Sequence, residues 1–155
     1  MLVLAVSVGV LGTVYASQYL GGLEPCNLCL YQRPPWWIAG GLCAVAAFAP
    51  LNVTARHGLC LIAALSILAG AGIAIYHTGV EQHWWQGPTT CGGGAIPSSL
   101  ADMQRMMSTP IVPCDKPAWT LLGISMAGYN AMFSLFFGGF VAMQGVQGMR
   151  GGDTR

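Results

Sequence analysis

Cys26-Asn27-Leu28-Cys29 stands directly before Leu30-Tyr31-Gln32-Arg33, between two long apolar segments. Two thiols at this spacing can close into a disulfide and reopen, so the pair can carry two electrons. If a helix begins near Gln32, Cys29 lies just before its N-terminus, where unpaired amide donors and the helix dipole stabilise an anion. That field and the Arg33 cation both lower a thiol pKa and raise the fraction of thiolate, the reactive form. Cys29 is therefore the candidate for the sulfur that hands electrons onward, and Cys26 for the sulfur that receives them. At a membrane–water boundary such a pair could meet a soluble thiol protein and a lipid-soluble oxidant. Arg33 could donate a hydrogen bond to a quinone carbonyl; a snorkelling interfacial charge is the plainer reading. A zinc site would need two more nitrogen or sulfur ligands, and the adjacent arginine opposes a cation, so no metal is expected.

Cys91 and Cys114 fall in a second polar connection, whereas Cys43 and Cys60 sit inside apolar segments and are given no role. Four loop cysteines allow three connectivities, which sequence cannot rank. A Cys91–Cys114 bridge could be a static staple worth roughly 3 kcal/mol by loop entropy. It could equally be a second exchangeable disulfide. Gly92-Gly93-Gly94 and the prolines at 110, 113 and 117 would then let Cys114 move toward Cys26. His77 is a second possible quinone contact or an interface residue. Glu81 and His83 read as polar groups of the loop.

The elements that must position these groups are apolar. Of 155 residues 54% are hydrophobic and 7% charged, against about 25% charged in average soluble domains. Met1 to Leu23, His57 to Val80 and Pro117 to Met149 carry no Lys, Arg, Asp or Glu. Uncharged stretches of that length read as membrane spans. A net charge of +1 leaves no electrostatic footprint for nucleic acid. The expected fold is all-α: a single membrane domain of four transmembrane helices, about 2–20, 36–51, 58–76 and 119–143. Loops of about 21–35 and 77–118 connect them on one side. The first segment lacks a basic n-region and outruns a signal-peptide core, which favours a retained helix. Four spans put all four loop cysteines in one compartment and both termini in the other. Arg56, Arg150 and Arg155 balance Arg33, Arg105 and Lys116, so the positive-inside rule ties. In the long loop, Leu100, Met103, Met106 and Met107 are spaced to line one face of a short surface helix behind Ser98-Ser99. The glycine-rich tail, Gly145 to Arg155, reads as disordered, and Asn130 as a group able to hydrogen-bond across helices.

The string from Pro25 to Arg33, with Tyr76-His77-Thr78-Gly79-Val80-Glu81 and Pro113-Cys114-Asp115, resembles the disulfide bond formation protein B (DsbB) family of bacterial inner-membrane thiol oxidases. The resemblance covers nearly the whole chain. It implies a protein dithiol:quinone oxidoreductase supporting disulfide bond formation. Cys91 would be attacked by a reduced DsbA-type periplasmic thioredoxin-fold oxidase. Electrons would then pass through a Cys26–Cys114 linkage to the Cys26–Cys29 pair. Cys29 would face ubiquinone or menaquinone, with Arg33 as its polar contact and His77 nearby. The cysteine loops would be periplasmic and both termini cytoplasmic, the periplasm being kept oxidising by this route. Gln32 stands where the family often has an acidic residue. The bare N-terminus points to a native start upstream. Two rival readings are a vitamin K epoxide reductase-like quinone reductase, whose active pair lies near the last span, and a structural four-span protein with static disulfides.

Overall fold

The computed structural model describes residues 1–91, 99–101, 104 and 112–152. Four long helices carry the fold: α1 (Leu2–Tyr19), α3 (Pro34–Phe48), α4 (Val53–Glu81) and α5 (Met126–Gly152), with a single turn and a half, α2 (Asn27–Tyr31), between the first two. The protein is an all-α membrane protein. α1, α4 and α5 are each long and apolar enough to cross a bilayer. α3 has 15 residues and spans only about 22 Å at about 1.5 Å per residue. α4 packs most extensively against α5 and α3, and α1 lies on α3.

Small residues set the helix spacing. Ala63, Ala64, Gly70, Ala71 and Ala74 are buried on α4. A Cβ at Gly70 would lie 2.9 Å from the Pro35 ring, and one at Gly138 would lie 2.9 Å from Leu68. Backbones thus approach closely, which in lipid replaces the hydrophobic drive for association. Trp36 fills the space left over, 2% exposed and stacked on Phe133 and Phe137 at centroid distances of 5.9 and 6.3 Å.

Several boundaries differ from those the hydropathy predicts. α3 starts at Pro34, since prolines are tolerated in a first turn, and stops at Phe48 because Ala49 precedes Pro50 and is extended. α4 starts at Val53, where Asn52 caps it by accepting from the Ala55 amide at 2.8 Å. It runs on to Glu81, past the expected end at Tyr76, because His77 and Glu81 are buried with polar partners. Its end is a left-handed His83 (φ 59°), after which the Trp84 amide reaches back to the Gly79 carbonyl at 2.9 Å.

The expected fourth span at 119–143 is corrected at both ends. Thr120–Leu121 pairs antiparallel with Ile124–Ser125, forming β1 and β2. Their two-residue turn, Leu122-Gly123, has both φ angles positive, the geometry that suits the strand twist. Ser125 then caps α5 by accepting from the Gly128 amide at 3.1 Å. The expected disordered tail is helical through Gly152. A Cβ at Gly145 would meet Leu61, and one at Gly148 the His57 ring, so these glycines face α4. Residues 153–155 and the expected surface-helix positions Met103, Met106 and Met107 lie outside the described residues, as do Gly92 to Gly94, Arg105 and Pro110; Leu100 is helical and exposed.

Candidate functional site

The polar end of the bundle gathers α2, the ends of α1 and α4, the hairpin and the segment around Cys114. Cys26 is the N-cap of α2: its sulfur accepts from the Cys29 amide at 3.3 Å. Cys29 therefore lies inside the short helix, and Cys26 holds the N-terminal position the sequence suggested for Cys29. The physical reason is that the chain turns helical at Asn27, seven residues before the prolines that open α3. The two sulfurs are 2.9 Å apart and unbonded.

Cys26 is buried, and its thiol is held down at about 4. The main cause is the hydrogen bond from the Cys29 thiol, helped by His77 and by the Cys29 amide, against the opposing effect of burial. Cys29 is pushed up strongly by the same hydrogen bond, then by burial and the Cys26 charge. The hydrogen bond between the sulfurs thus favours a single thiolate in the reduced pair, with Cys26 the sulfur driven toward it.

His77 joins the pair from α4. Its Nε2 lies 3.5 Å from the Cys26 sulfur and 3.7 Å from Glu81 Oε1. Its Nδ1 receives the Gln32 amide at 2.9 Å. Gln32 also donates to the Leu28 carbonyl at 3.1 Å and accepts from Asn130 Nδ2 at 2.6 Å. Glu81 accepts from the Ser125 hydroxyl on its other side. Sequence reasoning assigned Glu81 to a solvated loop and gave Gln32 no role. The signal for Gln32 was its place inside the Cys-x-x-Cys…Arg string. For Glu81 it was the i, i+4 spacing from His77, which puts both on one helix face.

Cys91 and Cys114 are joined in a disulfide, with Cα atoms 5.1 Å apart. It packs in one buried cluster with Cys26, Leu28 and Val80, so the two cysteine pairs adjoin. A cavity of about 890 Å³ opens beside them, between α1 and α5. Its walls are mostly apolar, including Val10, Val14, Trp36 and Phe133, and Cys29, Arg33, His77 and Glu81 all reach it. The Arg33 guanidinium lies over the Tyr15 ring at 4.9 Å, and its buried Nε has no hydrogen-bond partner among the described residues. The ligand atoms of Cys26, Cys29 and His77 also lie within 4.8 Å of one another, a spacing that a metal ion could use.

Comparison with known proteins places the chain in a family. The family described as disulfide bond formation protein DsbB matches residues 1–144. Disulfide bond formation protein B of Acinetobacter baylyi is 32% identical over 144 residues, covering 87% of this chain and 82% of its own. The protein of the same name from Hahella chejuensis is 29% identical, over 83% of this chain and 81% of its own. An uncharacterized Rickettsia prowazekii protein is 30% identical over 87% of this chain and 79% of its own. No solved structure matches significantly.

Proposed function

The chain belongs to the DsbB family of disulfide bond formation proteins, and from that premise we propose that it oxidises a soluble dithiol protein and passes the electrons to a membrane quinone. The observation that carries the reading is the meeting of two cysteine pairs beside a cavity that only the Cys26–Cys29 pair enters. One pair takes up electrons from a partner, and the other delivers them to the lipid side. The reduced partner is a DsbA-type thioredoxin-fold oxidase. The membrane is the bacterial inner membrane, with the cysteine loops periplasmic and the termini cytoplasmic.

A quinone fits what lines the cavity: an apolar trough for a flat ring and tail, and a few polar groups at one end. Arg33, with its unpartnered Nε, would hold a carbonyl oxygen, and His77 lies on the same wall. When bound, the quinone supplies a two-electron, two-proton acceptor.

The protein's own groups do the rest. A partner thiolate attacks Cys91, breaking Cys91–Cys114 and freeing the Cys114 sulfur. Cys114 attacks Cys26 of a Cys26–Cys29 disulfide, forming Cys26–Cys114 and releasing Cys29. At that moment Cys26 is no longer a thiolate, so the largest cause holding the Cys29 thiol up is gone, and Cys29 is freed to ionise at the wall of the cavity that Arg33 also lines. The partner's second thiol closes the partner's own disulfide and releases Cys91. Cys91 then attacks Cys114, restoring the loop disulfide and leaving Cys26 and Cys29 reduced, which is the state the structure holds. Their two electrons would pass to the quinone as the Cys26–Cys29 disulfide reforms, with one proton from the remaining thiol and the second from water.

The test is an anaerobic titration of the purified protein, its quinone removed, with a reduced DsbA-type protein. The proposal predicts that one equivalent of the reduced partner, added to protein with both pairs oxidised, leaves Cys26 and Cys29 as thiols with Cys91–Cys114 closed, and that a Cys91→Ser variant, lacking the sulfur that resolves it, traps the Cys26–Cys114 linkage. Exchange confined to Cys91 and Cys114, never reaching Cys26, would contradict it.

A further inference from the structure

Hydrogen-bond direction around His77 is fixed from both ends of a buried chain. At one end stands the Trp36 indole, which can only donate; its Nε1 lies 3.4 Å from Asn130 Oδ1. The Ser134 hydroxyl donates to the same oxygen at 3.1 Å. Asn130 therefore turns its NH₂ toward Gln32, whose Oε1 accepts at 2.6 Å. At the other end stands the Leu28 carbonyl, which can only accept; it takes one Gln32 N–H at 3.1 Å. Both ends give the Gln32 amide the same orientation, so its NH₂ is also the group facing His77 Nδ1 at 2.9 Å. Turning the amide over would set oxygen against oxygen at Leu28 and NH₂ against NH₂ at Asn130. Gln32, Trp36, His77 and Ser134 are all buried, where a polar atom left without its hydrogen bond goes uncompensated for the loss of water.

We propose that Gln32 is a positioning residue that holds His77 in the tautomer with its proton on Nε2. An NH₂ meets Nδ1, so Nδ1 must present its lone pair. The proton then points at the Cys26 sulfur, 3.5 Å from Nε2. His77 serves that sulfur as a donor, stabilising a thiolate, and is withheld from it as a base. The same arrangement guards the dithiol. A soft cation drawn to Cys26, Cys29 and His77 would need the Nε2 lone pair, with Nδ1–H donating to an acceptor behind it. Gln32 offers a donor in that place. The inference rests on the redox reading for its purpose, but the tautomer is a property of the reduced protein alone.

The experiment is ¹⁵N-histidine NMR of the reduced full-length protein in detergent. His57→Gln and His83→Gln leave His77 as the single histidine. The expected spectrum is that of an Nε2-protonated imidazole. In Gln32→Glu, where a carboxylate can only accept, the pattern should change to Nδ1-protonated. Cadmium binding, read by thiolate charge-transfer absorbance, should tighten by about 10-fold or more in that variant. An Nδ1-protonated His77 with Gln32 present would overturn the proposal, whether or not the variant folds; so would cadmium affinity equal in the two folded proteins. Neither readout uses quinone or partner. A missing turnover with the expected tautomer would therefore count against the oxidase reading alone, and normal turnover with the opposite tautomer against this inference alone.

Discussion

The hydrogen bond between two sulfurs 2.9 Å apart favours a thiolate at Cys26 in a buried place, and the surroundings are arranged to hold it. The Cys29 thiol, the Cys29 amide and His77 all face the Cys26 sulfur. A dithiol whose thiolate is stabilised is harder to oxidise, so the corresponding disulfide is a stronger oxidant. Cys26 is charged above its pKa of about 4 and neutral below it. The thiolate absorbance of the reduced protein should accordingly persist through mildly acid pH and fall only as the pH drops through about 4. A signal that appears only near the ordinary thiol value of about 8.5 would contradict this. His77→Ala removes a donor and should move that midpoint upward, toward neutrality. The Cys-x-x-Cys string and Arg33 were legible because their chemistry is local. The partners of Gln32 were not, because His77 and Asn130 are 45 and 98 residues away in sequence and meet it only across helices. The pairing of Cys91 with Cys114 was likewise one of three possibilities until the fold placed them.

Helix packing explains which elements the hydropathy pattern located and which it blurred. Apolar runs mark where lipid can be met, so α1 and the centres of α3, α4 and α5 were legible. Ends are set by caps and buried polar groups, which a hydropathy window averages away. Asn52, Ser125 and the Leu122-Gly123 turn are such features. Glycines of α5 that read as a loose tail are a packing face, because a glycine in a membrane helix can serve contact as well as flexibility. Gly70 gives a sharp test at this scale. Its neighbour is the Pro35 ring, 2.9 Å from an added Cβ, and a proline ring has no rotamer by which to move aside. Gly70→Ala should destabilise the purified protein by about 1–3 kcal/mol through overpacking. Gly72→Ala, two residues on, meets nothing within 4 Å and should be neutral or better in the same unfolding titration. Equal effects at the two positions would show that α3 and α4 do not meet as described.

At the scale of the whole molecule, the division of labour between the two cysteine pairs makes them separable. Removing Cys91 and Cys114 together should abolish oxidation of a protein dithiol by at least about 100-fold, a conservative bound given that covalent catalysis splits the exchange into steps. The same variant should still pass electrons from a small dithiol such as dithiothreitol to quinone, because the Cys26–Cys29 pair, Arg33 and the cavity are untouched. Loss of both activities would mean that the loop disulfide is a structural staple for the site. The decisive measurement is quinone reduction by the purified protein, supplied with a reduced DsbA-type protein, with Cys29→Ser as control. Turnover is expected in the native protein and none in the folded variant. A folded native protein that reduces no quinone, or a Cys29→Ser variant that turns over normally, would contradict it.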